Sequence, residues 1–154
     1  MNLELFNKNI QKENLHGPLA ERLRPDKIDS VSGDKDFLKS IELSFDHGLN
    51  LIFYGPPGVG KTTIARVLVG QDRKREVLEY RPAVDTLVSL KKMVDHKVAQ
   101  RSILFIDEIH RMDKRQQDYL LPLLESGTLQ LLGATTENPF VFCNNALLSR
   151  VKPV

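Results

Sequence analysis

The sequence predicts an α/β fold, a parallel β-sheet flanked by helices on both faces. Three observations point there. Short, mainly apolar runs stand at 49–54, 103–106 and 129–134, the second of them apolar throughout, as strands buried on both faces are. The segments between them carry apolar residues at helical spacing. The two kinds of segment alternate along the chain, and parallel strands need such a crossover between them.

The elements follow in order. Residues 1–17 read as a leader ahead of a core spanning 18–154, and 19–33 as a short helical start followed by a Pro-broken extended stretch. Phe37, Ile41 and Phe45 recur every fourth residue, one stripe of an amphipathic helix that Gly48 ends. The first strand, 49–54, runs into glycines and prolines, and 62–69 follows as a helix. Residues 76–80 are a weaker strand. Leu87, Leu90, Val94 and Val98 mark a helix over 85–99. The strand at 103–106 leads to a helix over 114–125, within which Pro122 should kink the chain or set a boundary, and Gly127 ends it. The strand at 129–134 and a short helix at 144–148 complete the series.

Composition narrows the function classes. Lys plus Arg is 22 against 20 for Asp plus Glu, a net charge of +2, which permits a nucleic-acid partner without arguing for one. With 41% hydrophobic and 27% charged residues, a collagenous, disordered or disulfide-scaffold chain is excluded. The single cysteine, Cys143, cannot form an internal disulfide and reads as a small core or turn residue in a cytoplasmic protein. No apolar stretch approaches the ~20 residues that span a bilayer, so no membrane partner is expected.

Gly55-Pro56-Pro57-Gly58-Val59-Gly60-Lys61-Thr62, followed by Thr63, fits G-x-x-x-x-G-K-[ST] between an apolar strand and a helix. The glycines let successive backbone N–H groups turn inward as an anion cradle, and the helix N-terminus adds partial positive charge. Lys61 is placed to reach phosphate oxygens, and the Thr62 hydroxyl to ligate Mg2+. The plainer reading, a glycine-rich turn, is disfavoured by the flanking strand and helix.

The strand at 103–106 ends in Asp107 and Glu108. Two carboxylates closing a buried strand are costly unless they meet a cation or water. In parallel sheets, ligands sit at that edge. Asp107 is therefore the candidate Mg2+ ligand and Glu108 the candidate base for an attacking water. A pair able to activate water favours ATP hydrolysis over transfer to a bound acceptor. The strand at 129–134 also runs into polar residues, Thr135-Thr136-Glu137-Asn138, where a hydroxyl or amide can meet a γ-phosphate; the plainer reading is a turn around Asn138-Pro139. Arg150 ends the short final helix and acquires a role only if it points at a neighbour's nucleotide. Among the remaining basic residues, Arg73, Lys74 and Arg75 read mainly as a solvated loop. Arg111, Lys114 and Arg115 are better placed as DNA contacts. His110 reads as structural before it reads as a sensor.

GPPGVGKTT, ILFIDEIHR, GATTENP and ALLSR occur in that order and together resemble an AAA+ ATPase of the clamp-loader clade, built on a P-loop NTPase core. PLAERLRP at 18–25, DEIHRMDKRQQDYLLPLLESG at 107–127 and LLGATTENPF at 131–140 are similar to the replication-associated recombination protein A (RarA) family, whose eukaryotic relatives are the Werner-helicase-interacting ATPases. The resemblance implies a DNA-dependent ATPase using ATP and Mg2+ in replication-fork maintenance and recombination. It further implies a homo-oligomer linked to single-stranded-DNA-binding protein and associated with the nucleoid. It implies Lys61 and Thr62 in Walker A, Asp107 and Glu108 in Walker B, Thr136 as sensor 1 with Asn138 as the fallback, and Arg150 as a finger acting in trans. Arg24, Pro25, Ile28 and Val31 match the box near the adenine, which departs from the family at Gly33-Asp34 and Asp36. Against the family pattern the chain ends before the last core strand and the helical lid, which leaves open a nucleotide-binding interaction module with little turnover. A clamp-loader or Holliday-junction branch-migration subunit shares the chemistry but not the TTENP and QQD segments.

Overall fold

The computed structural model describes residues 25–97 and 101–154. The leader, Arg24, the helical start before Pro25, and Val98 and Ala99 lie outside the described residues. The elements in chain order are α1 (Lys35–Asp46), β1 (Asn50–Tyr54), α2 (Lys61–Gln71), β2 (Val77–Tyr80), α3 (Leu87–Lys97), β3 (Ser102–Asp107), α4 (Lys114–Glu125), β4 (Leu129–Thr135), α5 (Pro139–Phe142), α6 (Asn145–Leu148) and β5 (Val151–Pro153). Single 3-10 turns at Ile28–Ser30 and Ile109–Arg111 precede α1 and α4.

The five strands form one sheet in the order β2-β3-β4-β1-β5, each pair parallel. Alternate residues feed two apolar layers. Leu51, Phe53, Ile103 and Phe105 join Ile41 and Phe45 of α1 and Ile64 and Leu68 of α2 on one face. Ile52, Leu104 and Ile106 join Leu90 of α3, Leu120 and Leu124 of α4, and Leu147 of α6 on the other. Strand β4 is central and buried along its whole length. Ile41 and Phe45 of the expected α1 stripe face the core, joined by Leu38, while Phe37 is half exposed.

Two expectations are corrected. The final core strand is present. β5 pairs Val151, Lys152 and Pro153 with Asn50, Leu51 and Ile52, and the ladder continues with Val154 N–H donating to Ile52 O (2.9 Å) and Tyr54 N–H to Val154 O (3.0 Å). Three residues containing a proline and a lysine carry no strand periodicity; Pro153 is tolerated because β5 is an edge strand that can forgo one donor. β1, which feeds the glycine-rich loop, is therefore an interior strand. Pro122, in turn, does not mark a boundary: α4 runs from Lys114 to Glu125 with the proline inside it. Its ring sits at an exposed position, where water can satisfy the carbonyl that loses a partner.

The start of α4 explains the QQD segment. Gln116 closes a capping box with Asp113, its N–H donating to Asp113 Oδ1 (2.8 Å) and its Oε1 accepting from Asp113 N–H (2.9 Å). Its Nε2 donates to the Tyr80 hydroxyl (2.6 Å), which in turn donates to Asp85 O (3.1 Å). Burial, reinforced by Asp85 and Asp113, pushes the Tyr80 phenol up to about 12. Gln117 is buried too: Nε2 donates to Phe142 O (3.1 Å) and Met112 O (3.3 Å), and Oε1 accepts from Asn144 N–H (2.8 Å). Asp118 accepts from Asn144 Nδ2 (2.9 Å). Three consecutive side chains thus tie α4 to β2 and to the segment carrying α5 and α6. Cys143 lies in this core, where burial pushes its thiol up to about 11 and away from reactivity.

Candidate functional site

The carboxyl ends of β1, β3 and β4 converge. Register sets Phe53 and Asp107 level with Ala134, and Tyr54 level with Thr135. Beyond Tyr54 the chain turns through Gly55–Gly60 and enters α2. Gly58 (φ 80°) and Gly60 (φ 94°) hold left-handed conformations that a side chain would strain. Gly60 stands at the N-cap of α2 with no side-chain cap, so the first-turn N–H groups have no intrahelical acceptor. This is the backbone of an anion cradle. Lys61 Nζ donates to the carbonyls of Gly55 (2.8 Å) and Pro56 (2.7 Å), closing the loop on itself. Pro56, Pro57, Gly58 and Val59 are exposed, and Thr62 and Thr63 half-buried.

At the second residue of α2, the Thr62 hydroxyl donates to Asp107 Oδ1 (3.4 Å) across the gap from β1 to β3. Two hard oxygens thus meet beside the cradle, a donor set suited to Mg2+, which takes few protein ligands and keeps several waters. Asp107 Oδ1 also accepts the Glu108 N–H (3.1 Å). Glu108 itself adopts φ 55°, ψ 44°, a left-handed conformation rare for a side chain of this kind. Its carboxylate, half exposed, lies 3.3 Å from His110 Nε2 and 3.7 Å from Arg111 Nε.

His110, which the sequence reads as structural, and Thr135, one of four polar residues at the end of its strand, meet here. Thr135, not Thr136, is the buried threonine at the end of β4. Its hydroxyl lies 2.9 Å from His110 Nδ1 and accepts the Glu137 N–H (2.9 Å). Thr136 is exposed just past the strand, and Asn138 spends its side chain capping α5, accepting the Phe140 N–H (3.0 Å). Adjacent threonines look alike in sequence; only strand register separates the buried one.

Arg150 stands apart from this cluster. It pairs with Glu125 at the end of α4 and donates to Ala146 O (2.7 Å) and Ser149 Oγ (2.9 Å), while its Nε is buried with no hydrogen-bond partner among the described residues. Ile28 and Val31 are core residues packed with Leu38, Ile41 and Ile64; Pro25 is half-buried. Asp34, a departure from the family box, caps α1 by accepting the Phe37 N–H (2.9 Å). Of the basic residues, Arg75 is engaged, paired with Asp72 (2.6 Å), bonded to Gln130 and stacked over Phe45 at 4.8 Å. Arg73, Lys74, Lys114 and Arg115 are exposed.

Residues 23–139 match the model of the Holliday junction DNA helicase RuvB P-loop domain. The chain belongs to that family. Among its relatives, replication-associated recombination protein A of Haemophilus influenzae is 40% identical over 152 residues, covering 91% of this chain and 33% of that protein. The Escherichia coli K12 protein of the same name is 38% identical with the same coverage, and ATPase WRNIP1 of Dictyostelium discoideum is 38% identical, covering 98% of this chain and 19% of its own length. The chain thus spans a third or less of these curated relatives. Among solved structures, the Thermotoga maritima RuvB Holliday junction branch migration motor superposes with a TM-score of 0.69 at 26% identity, over 85% of this chain and 47% of that one. The RuvB-family domain seen here is therefore an AAA+ P-loop core, and the RarA resemblance carried by its motifs extends over most of the chain. Among the described residues, no helix is long and apolar enough to cross a membrane.

Proposed function

We propose that this chain binds ATP with Mg2+ and hydrolyses it, as the nucleotide core of a DNA-dependent ATPase working in replication-fork maintenance and recombination. The observation that carries the reading is the contact between Thr62 and Asp107 beside the Lys61 loop, with Glu108 one residue on. An anion cradle, an ammonium, a cation-ligating pair and a second carboxylate then share one edge of the sheet.

Residues 55–63 hold the triphosphate, with Lys61 exchanging its loop carbonyls for phosphate oxygens. Thr62 and Asp107 hold Mg2+, which when bound neutralises charge on the β- and γ-phosphates. Glu108 orients a water and takes its proton. Thr136, or failing it Asn138, meets the γ-phosphate from the end of β4. Arg150 of a neighbouring copy stabilises charge on the transferring phosphoryl. Arg24, Pro25, Ile28 and Val31 form the adenine side, Ile28 and Val31 by shaping its floor from the core. DNA and single-stranded-DNA-binding protein are the partners, a homo-oligomer the working form, and the nucleoid-bearing cytoplasm its place. Relatives at 37–40% identity that are named for replication-associated recombination support this over a branch-migration motor, since the RuvB structures stand at 24–26%.

A specific observation favours a second reading, nucleotide binding with little turnover by the chain alone. Arg150 is held by Glu125 of its own chain. Steady-state ATP hydrolysis across a range of protein concentrations, with and without single-stranded DNA, separates the two. Turnover that rises with concentration and with DNA supports the first reading. Nucleotide binding with no turnover at any concentration supports the second.

A further inference from the structure

His110 joins the end of β4 to the Glu108 carboxylate. Its Nε2 faces two carboxylates, Glu108 Oε2 at 3.3 Å and Glu137 Oε1 at 3.8 Å. Carboxylate oxygens only accept, so this pairing favours the tautomer with its proton on Nε2. In the neutral ring Nδ1 is then an acceptor, and its partner at 2.9 Å, the Thr135 hydroxyl, must be the donor. That hydroxyl has a lone pair to spare, which the Glu137 N–H fills at 2.9 Å. The Glu137 N–H and the Thr135 hydroxyl thus each find an acceptor, and His110 Nε2 ends the chain in close contact with the Glu108 carboxylate. The imidazole is held from the side as well, edge-on to Phe142 with centroids 6.3 Å apart, and only 13% of its side chain is exposed.

We propose that His110 is a positioning residue that sets the place of the Glu108 carboxylate according to the end of β4. The proposal rests on the reading of Glu108 as the base for water. A ring nitrogen 3.3 Å from Oε2 draws that oxygen toward His110 and leaves Oε1 to receive the proton. Arg111, 3.7 Å from the same oxygen, is too exposed and solvent-screened to define the carboxylate's rotamer alone. Thr135 is one peptide from Thr136, so a movement of β4's end on meeting a γ-phosphate passes through Thr135 to the imidazole and from there to Glu108. The His110 contact to Thr135 also explains why the turn after Glu108 lies against β4.

The two ring nitrogens can be tested separately. Asparagine at 110 reaches the place of Nδ1 and retains a partner for Thr135; glutamine reaches the place of Nε2 and retains a donor for Glu108. Single-turnover hydrolysis, together with affinity for a fluorescent ATP analogue, is measured for wild type, His110→Asn, His110→Gln, Glu108→Gln and the Glu108→Gln/His110→Asn double variant. The expected result is that His110→Asn slows hydrolysis by about tenfold to a hundredfold, the range of one charge-assisted hydrogen bond, with nucleotide affinity changed less than about twofold. His110→Gln recovers most of the rate, and His110→Asn adds no loss on top of Glu108→Gln. Nitrogen-15 spectra place the His110 proton on Nε2. Full activity of His110→Asn, equal loss in both single variants, or a fully additive double variant overturns the positioning role while leaving the hydrolase reading intact. A wild-type chain that binds nucleotide but never hydrolyses it overturns the hydrolase reading and this inference with it.

Discussion

A Cβ on Gly133 would stand 2.9 Å from Ile109 Cδ1 and 3.2 Å from its Cγ2. This glycine of β4 is the seat on which the turn after Glu108 rests. Ile109, fully buried, plugs that seat and so helps hold Glu108 in its left-handed conformation. Gly133→Ala forces the plug outward. It is expected to cost about 1–3 kcal/mol, the usual penalty for overpacking, measured by chemical denaturation. It should also slow hydrolysis more than it weakens nucleotide binding, because the turn carries Glu108 and His110 but not the phosphate loop.

Gln117 satisfies three backbone groups of the 112–144 region from one buried side chain. Gln117→Leu keeps the volume and leaves those groups unpaired. The expected loss is about 2–3 kcal/mol of stability, read as a lower thermal midpoint. Amide exchange should accelerate in α5 and α6, the elements that lead to Arg150.

The Asp72–Arg75 pair ties the end of α2 to Gln130 of β4. Burial pushes the Asp72 carboxyl up, but the Arg75 side chain, the N–H groups of Lys74 and Arg75, and the Arg75 charge together hold it below its ordinary value of 3.8. A carboxyl depressed in the folded state contributes stability above its unfolded value and loses it as pH falls through the folded one. Asp72→Asn is therefore expected to cost about 1 kcal/mol at neutral pH, discounted for partial exposure, and the gap to wild type to close on acidification below about pH 4. Urea titrations across that range check it.

Arg150 is engaged with Glu125, Ala146 and Ser149 of its own chain. Mixing Arg150→Ala with Glu108→Gln chains should restore part of the hydrolysis that each lacks, since some interfaces regain both groups. Glu125→Gln frees the guanidinium and should raise turnover at a given concentration if the ion pair with Glu125 competes with the neighbour. Hydrolysis that never recovers in any mixture argues against action in trans.

Most of the architecture was legible because the chemistry is local. ILFI followed by Asp107 and Glu108 reads as a buried strand ending at a ligand edge, and the strand is there with its carboxylates at that edge. The glycine-rich loop reads equally well, because its left-handed residues must be glycines. What was not legible depended on partners distant in sequence. β5 exists because β1 supplies its ladder, not because Val151-Lys152-Pro153 prefers a strand. Thr135 and Thr136 are the same residue type at adjacent positions, and only pairing with β1 and contact with His110 separate them. The glutamines of QQD could be recognised as a family marker, yet their task of satisfying Tyr80, Phe142 and Asn144 appears only once α4 is packed.

The loop lysine has a simple expectation. Lys61→Ala removes both the cation and the donors that close the loop on Gly55 and Pro56, and should weaken ATP binding by about tenfold or more, measured by titration calorimetry.

The central claim is that Glu108 activates water for a nucleotide held by other residues. It is tested most directly by comparing Glu108→Gln with wild type for Mg2+-dependent ATP binding and for the rate of phosphate release from bound ATP. The account predicts that Glu108→Gln binds ATP as tightly as wild type and releases phosphate at least about a hundredfold more slowly, the contribution of a positioned general base. Equal phosphate release by the two proteins would contradict it.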